Sequence, residues 1–391
     1  MKLSRRVSTL SSSPTMVVME EAARLRAEGR DIVDFSVGEP DFNTPDNIKQ
    51  IGHEAIDKNF TRYTGAAGIK DLREAVARRY QTLYGVDYTL QEVVISCGAK
   101  HTLFNVAFVL FEAGDEVLLP APYWVTFPEQ LKMVGATPVE VLTAQADGFI
   151  VRADALREKI TPRTKGMILN TPNNPTGAVI PADELARIVD LAVEKNLYLI
   201  FDECYDRFVY DGHRHTSIAE FAGRARDLSM IVNTASKTYA MTGWRIGYLV
   251  APQPIAKAIT DVQSHSANAA SLCQKAALES ILGPQESVGV MIAEYERRRK
   301  YVIGRLNSIE GLTCSQPAGA FYAFPNIGPY IRNGSVRDSL EFSSRLLREA
   351  GVAVVPGLAF GMEGYIRISF ATSMANLEKG LAWMERALSN F

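Results

Sequence analysis

Leu197-Tyr198-Leu199-Ile200-Phe201-Asp202-Glu203-Cys204-Tyr205 is the stretch on which the fold turns. Five apolar or aromatic residues in succession fit one buried strand, and the run ends on a carboxylate. An ionised Asp202 at that point needs a cationic or strongly donating partner. The alternatives are a buried Arg, a helix cap, or a ligand carrying a proton on a ring nitrogen.

Working outward, comparable strand runs stand at 92–96, 116–119, 166–169, 229–232 and 244–250, with helical patterns between them. Ile69, Leu72, Val76, Tyr80 and Leu83, for instance, recur at steps of three and four and mark one apolar stripe of a helix. Strands alternating with helices predict an α/β domain with a mostly parallel sheet covered by helices. From 254 to 308 the pattern turns helical. It is followed by strand-like 320–324 and 365–370 and by amphipathic helices around 339–350 and 376–388, which together predict a smaller α+β domain. The expected division is an N-terminal arm over 1–15, a small domain of 16–47 and 286–391, and a large domain of 48–285.

The bulk numbers agree with an enzyme-sized globular chain. At ~150 residues per domain, 391 residues suggest two to three domains. Apolar residues at 47% and charged ones at 22% exclude long disorder. Forty-two basic against 44 acidic residues leave a net charge of −2, which argues against a nucleic-acid or anionic-membrane face. Any anion site must then be local. Cys97, Cys204, Cys273 and Cys314 form no CxxC or disulfide-dense pattern, pointing to a reducing, cytoplasmic setting. There is no apolar run of membrane-spanning length, no metal spacing among the five histidines, and no GxGxxG, P-loop or GxSxG. The first 19 residues are rich in Ser and Arg and lack acids, and are read as a structural arm.

In open parallel sheets ligands bind beyond the carboxyl ends of the strands. Five predicted strand ends deliver polar groups there: Cys97-Gly98-Ala99-Lys100; Pro120-Ala121-Pro122-Tyr123-Trp124; Asn170-Thr171-Pro172-Asn173-Asn174-Pro175-Thr176-Gly177; Asp202-Glu203-Cys204-Tyr205; and Asn233-Thr234-Ala235-Ser236-Lys237. Gly243-Trp244-Arg245-Ile246-Gly247 reads as an Arg inside an apolar strand, where a guanidinium calls for a carboxylate or phosphate. The helix start at Gly98-Ala99-Lys100 would serve the same anion. In Tyr365-Ile366-Arg367-Ile368-Ser369-Phe370, alternation puts Arg367 opposite the apolar side chains, facing either water or a carboxylate-binding cleft. Trp124, in a Pro-flanked loop, reads as a binding platform.

Asn174-Pro175-x-Gly177, Asp202-x-x-Tyr205 28 residues beyond Asn174, Ser236-Lys237 with the lysine 35 beyond Asp202, Gly243-x-Arg245 and Arg367 together resemble the class I aminotransferases of PLP fold type I. The resemblance covers essentially the whole chain. Gly38-Glu39-Pro40-Asp41-Phe42, Pro122-Tyr123-Trp124-Val125 and Ala240-Met241-Thr242-Gly243-Trp244-Arg245 look most like the bacterial Iβ subgroup of aspartate aminotransferases. The resemblance implies that Lys237 carries pyridoxal 5′-phosphate as a Schiff base and that Asp202 pairs with its ring nitrogen. Asn174 and Tyr205 would bond the phenolic oxygen, and Trp124 would stack on the ring. Arg245 with Gly98, Ala99, Lys100 and Thr234 would hold the phosphate, and Ser236 would be a further cofactor-binding residue. Tyr63 would reach the phosphate of a neighbouring subunit in a homodimer with shared sites. Arg367, with Gly38 and Asn174, would clamp the substrate α-carboxylate.

The implied reaction moves the amino group of L-aspartate to 2-oxoglutarate by a ping-pong mechanism, amino acids and 2-oxo acids being the partners. The segment 264–271, which in the better-known subgroup supplies an Arg for the distal carboxylate, has none here, and the resemblance puts Lys100 in that part. Some Iβ members also act on prephenate and carry a lysine in the N-terminal arm, where this chain has Ser11-Ser12-Ser13. Prephenate, aromatic or alanine specificity on the same scaffold is the alternative. Another is a PLP-binding regulator without turnover, although the residues before Asp31 are few for a fused DNA-binding domain.

Overall fold

The computed structural model describes residues 14–391, with Ser4, Val7 and Leu10 before them. Most of the arm expected over 1–15, including Ser11-Ser12-Ser13, lies outside the described residues; Pro14 and Thr15 open the helix Pro14–Ala27. In chain order the strands are β1 (Val33–Asp34), β2 (Val93–Ser96), β3 (Glu116–Ala121), β4 (Thr137–Leu142), β5 (Thr164–Asn170), β6 (Tyr198–Asp202), β7 (Ser229–Thr234), β8 (Gly247–Val250), β9 (Tyr322–Ala323), β10 (Val352–Ala353), β11 (Val355–Pro356) and β12 (Ile366–Ser369).

Seven of them form one sheet in the order β2-β8-β7-β6-β5-β3-β4. β8 runs antiparallel to both β2 and β7, so the other six strands share one direction and their carboxyl ends share one edge. Along each strand alternate residues enter opposite cores. Val94, Leu119, Ile168 and Ile200 belong to one; Val93, Ile95, Leu118, Met167, Leu169, Leu199 and Phe201 belong to the other. Helices therefore cover both faces, which is why these strands read as continuous apolar runs.

The expected stripe is helix Lys70–Tyr84, with Leu72, Val76 and Tyr80 buried and Gly85 closing it in a left-handed conformation. Two members depart from the stripe. Ile69 is the residue before the helix, and Leu83 is exposed. β4 had no counterpart in the sequence reading, because it is an exposed edge strand containing Pro138, tolerated only at an edge.

The remaining strands lie apart from this sheet. β1 pairs in parallel with β10, joining residues 33–34 to 352–353, and β11-β12-β9 form a small antiparallel sheet. The helix Glu286–Ser308 precedes it, and Ser339–Ala350 and Met374–Leu388 lie where helical periodicity predicted them. Among the described residues no helix is long and apolar enough to cross a membrane.

Candidate active site

All five polar strand ends meet at the shared edge. Asp202 terminates β6 beside Asn170 of β5, and its carbonyl accepts from Asn170 Nδ2 (3.0 Å) and Thr171 N–H (3.2 Å). Its carboxylate is buried, at 4% exposure, and Oδ1 accepts from the Cys204 N–H at 3.1 Å. Among the described residues no Lys, Arg or His forms an ion pair with it. The buried-Arg alternative therefore falls, and burial pushes the Asp202 carboxyl up to about 6.

Lys237 stands in the turn after β7, close enough to Asp202 to act on it electrostatically. Its Nζ donates to the Gly38 carbonyl at 2.6 Å. Burial, together with the guanidiniums of Arg367 and Arg245, brings this amine down to about 8. The lysine is thus neutral over a range where a surface lysine is fully charged.

Arg367, on β12, resolves to the cleft and not to water, at 3% exposure. Nη1 donates to Asn174 Oδ1 at 3.1 Å and Nη2 to the Ser36 carbonyl at 2.6 Å. The guanidinium lies between the rings of Tyr322 and Phe360, 4.6 and 5.1 Å from their centres. Nε is buried without a partner, and no described acid pairs with the charge. A buried guanidinium with donors to spare is a receptor for a carboxylate. Asn174 is held by its own N–H, which donates to Asn170 Oδ1 at 2.7 Å.

A second anion cradle forms around Gly98. This residue has φ +80 and ψ 161, a conformation essentially restricted to glycine, and it opens the helix Ala99–Leu110 without a side-chain cap. A Cβ on Gly98 would lie 2.2 Å from Arg245 Nη2. Arg245 itself corrects the sequence reading. It is not inside a strand but sits at φ +56 after the short 3₁₀ turn Thr242–Trp244, where Nη1 donates to the Thr242 carbonyl at 2.7 Å. The turn lifts the guanidinium off the sheet and beside the helix start. Thr234, opposite Gly247 in the β7–β8 register, donates to the Ile246 carbonyl at 2.7 Å, with Ser236 Oγ 2.8 Å away.

Lys100 Nζ lies 5.2 Å from the centre of the Trp124 ring, and Trp124 packs edge-on against Phe127. Tyr205, after β6, is buried, with its hydroxyl 2.8 Å from that of Tyr322. Tyr63 is not brought into this chain's own site; its ring is fully exposed, at 102%. Sequence reasoning missed Tyr322, Asn170 as an orienting group, and the carbonyl of Ser36. Asn170 stood in the polar loop already singled out, whereas Tyr322 lay in an apolar run with no signal of its own.

Residues 30–382 match the family described as aminotransferase class I and II. The chain belongs to that family. This aminotransferase is 42% identical over 389 residues to a probable aspartate/prephenate aminotransferase of Aquifex aeolicus, covering 99% of this chain and 98% of the relative. It is 40% identical over 387 residues to an aspartate aminotransferase of Geobacillus stearothermophilus, with the same coverage. In structure it resembles the Thermus thermophilus aspartate aminotransferase with maleate, at TM-score 0.93, 39% identity, and coverage of 99% of this chain and 100% of that one. Class I aminotransferases depend on pyridoxal 5′-phosphate, and the fold is PLP fold type I. The aminotransferase's own residues suit that cofactor: an unpaired buried carboxylate for a protonated ring nitrogen, an amine of lowered basicity for an aldehyde, and a glycine-opened helix start with an arginine for a phosphate.

Proposed function

We propose that this aminotransferase transfers the amino group of L-aspartate to 2-oxoglutarate, producing oxaloacetate and L-glutamate in two half-reactions. The observation that carries the reading is a pair of buried charges with no ion-pair partner among the described residues, the Asp202 carboxylate and the Arg367 guanidinium. Each asks for one end of a ligand assembly, a ring cation on one side and a carboxylate on the other.

Bound pyridoxal phosphate supplies an electron sink for the pair left on substrate Cα when its proton departs. Asp202 keeps the ring nitrogen protonated by Coulomb attraction. Arg367 binds the α-carboxylate through two parallel bonds, with Asn174 and the Gly38 backbone beside it. Lys237 would hold the cofactor through Nζ, and the same amine, brought down to about 8, would serve as the base that takes the proton from Cα. Tyr205 and Asn174 would bond the phenolic oxygen, Trp124 would cover the ring, and Gly98, Ala99, Lys100, Thr234, Ser236 and Arg245 would hold the phosphate. Lys100, above Trp124, is the candidate reader of the distal carboxylate.

The proposed assembly is a homodimer in which Tyr63 serves the neighbouring site; its full exposure supports that role. The proposed small domain, 16–47 with 286–391, is supported by the β1–β10 pairing, and the proposed large domain, 48–285, by a seven-stranded sheet confined to residues 93–250. Four free cysteines support a cytoplasmic setting.

The test is a panel of amino donors with 2-oxoglutarate, with prephenate added as an acceptor because several relatives bear that name. Aspartate should exceed alanine and tyrosine at least tenfold in kcat/KM. A preference for either of the others overturns the substrate assignment. Borohydride should bleach the yellow colour and leave the reduced cofactor attached through a stable secondary amine to the peptide holding Lys237.

A further inference from the structure

Tyr322 lies on β9, opposite Ser369 of β12, and is fully buried. Its hydroxyl oxygen is 2.8 Å from that of Tyr205, and among the described residues neither oxygen bonds to any other group. Burial pushes both phenols above their ordinary range, so each keeps its proton at neutral pH. Two protons thus serve one O···O contact, and one is left over.

The surroundings decide which one. The Arg367 guanidinium lies 4.6 Å from the centre of the Tyr322 ring, and a fixed cation there acidifies that hydroxyl more than its neighbour's. The more acidic of two hydroxyls is the donor. Tyr322 is also hemmed in on the Gly38 side, where even a Cβ would stand 2.9 Å from its oxygen. Tyr322 therefore donates to Tyr205, and the proton of Tyr205 is free to turn towards a ligand.

We infer that Tyr322 is a positioning residue. Its hydroxyl fixes the direction in which Tyr205 donates and strengthens the bond Tyr205 gives to the phenolic oxygen of the cofactor. The inference rests on the proposed contact of Tyr205 with that oxygen. A donor to the oxygen stabilises its negative charge most once the adjacent nitrogen has lost its proton, so weakening the donor raises the pH at which that nitrogen titrates. Polarisation along a chain of hydroxyls transmits the effect.

The experiment is a visible-absorbance pH titration of the holoenzyme in four forms: wild type, Tyr322→Phe, Tyr205→Phe and the double variant. Tyr322→Phe keeps the ring beneath Arg367 and removes one oxygen. Its midpoint should rise by ~0.5–1 pH unit, the worth of one hydrogen bond. Tyr205→Phe should raise the midpoint further, and Tyr322→Phe should add nothing in that background. An unmoved midpoint in Tyr322→Phe, or the same shift persisting without the Tyr205 hydroxyl, overturns the relay. A Tyr205→Phe titration identical to wild type instead overturns the placement of Tyr205 itself. Should Tyr322→Phe fail to fold, 3-fluorotyrosine at position 322 preserves the shape and acidifies the donor. The midpoint should then fall, and no movement again overturns the relay.

Discussion

Replacing Asp202 by Asn should have opposite effects on the empty protein and on the working enzyme. The Asp202 carboxyl is raised from 3.8 to about 6 because it is buried, an effect the nearby Lys237 only partly offsets. A shift of roughly two units corresponds to about 3 kcal/mol of burden on the ionised form. The folded-state value lies above the unfolded one, so the folded chain binds the extra proton between about pH 4 and 6. The burden is absent below that window, grows as pH rises through it and is complete above about pH 6. Asn has nearly the same shape and still accepts from the Cys204 N–H. Spread over the unfolding entropy of 391 residues, the relief corresponds to about 4 °C in Tm. Differential scanning fluorimetry of the cofactor-free protein should therefore show Asp202→Asn melting higher than wild type at pH 8, with the gap closing near pH 4. With cofactor bound the same change leaves a buried cation unpaired, at a cost of about 3–5 kcal/mol, and kcat/KM should fall between about 10²- and 10⁴-fold. A variant that melts lower than wild type at pH 8 without cofactor, or that retains kcat/KM within tenfold, would refute the reasoning.

The other expectations follow from the same charges. Arg367→Lys cannot give two parallel bonds and should raise KM for both aspartate and 2-oxoglutarate by ~10²-fold in steady-state kinetics; a change under threefold removes the carboxylate from this residue. Gly98→Ala must push Arg245 aside and strain the backbone by about 1–3 kcal/mol, weakening pyridoxal phosphate affinity ~10–100-fold in an absorbance titration. Wild-type affinity there would remove Gly98 from the phosphate cradle. Lys100→Ala should reduce the kcat/KM ratio of aspartate to alanine by ~10-fold or more, and an unchanged ratio places the distal carboxylate elsewhere. Lys237, brought down to about 8, should react with an acylating reagent in the cofactor-free protein with a half-maximal rate near pH 8; half-maximum above pH 10 would show an ordinary solvated amine.

The central strands were legible because burial on both faces leaves no room for polar residues. β5, β6 and β7 are continuous apolar runs for that reason, and the polar residues that follow them announce the binding edge. β4 escaped notice because an exposed edge strand carries little apolar pattern. Arg245 was drawn into β8 because Trp244, Ile246 and Tyr248 alternate as a strand would, and alternation is blind to a residue at φ +56. A single such turn moves a charge from the sheet to the helix start.

The order of chemical groups along the chain was therefore set locally, by apolar runs and by the carboxylate, lysine and glycines that end them. Their balance was not. Among the described residues neither Asp202 nor Arg367 has an ion-pair partner, Arg367 reaches the carbonyl of Ser36 331 residues away, and Tyr322 joins Tyr205 across 117 residues. Whether a buried charge is paired depends on every neighbour packed around it, and only the assembled fold brings those neighbours within reach.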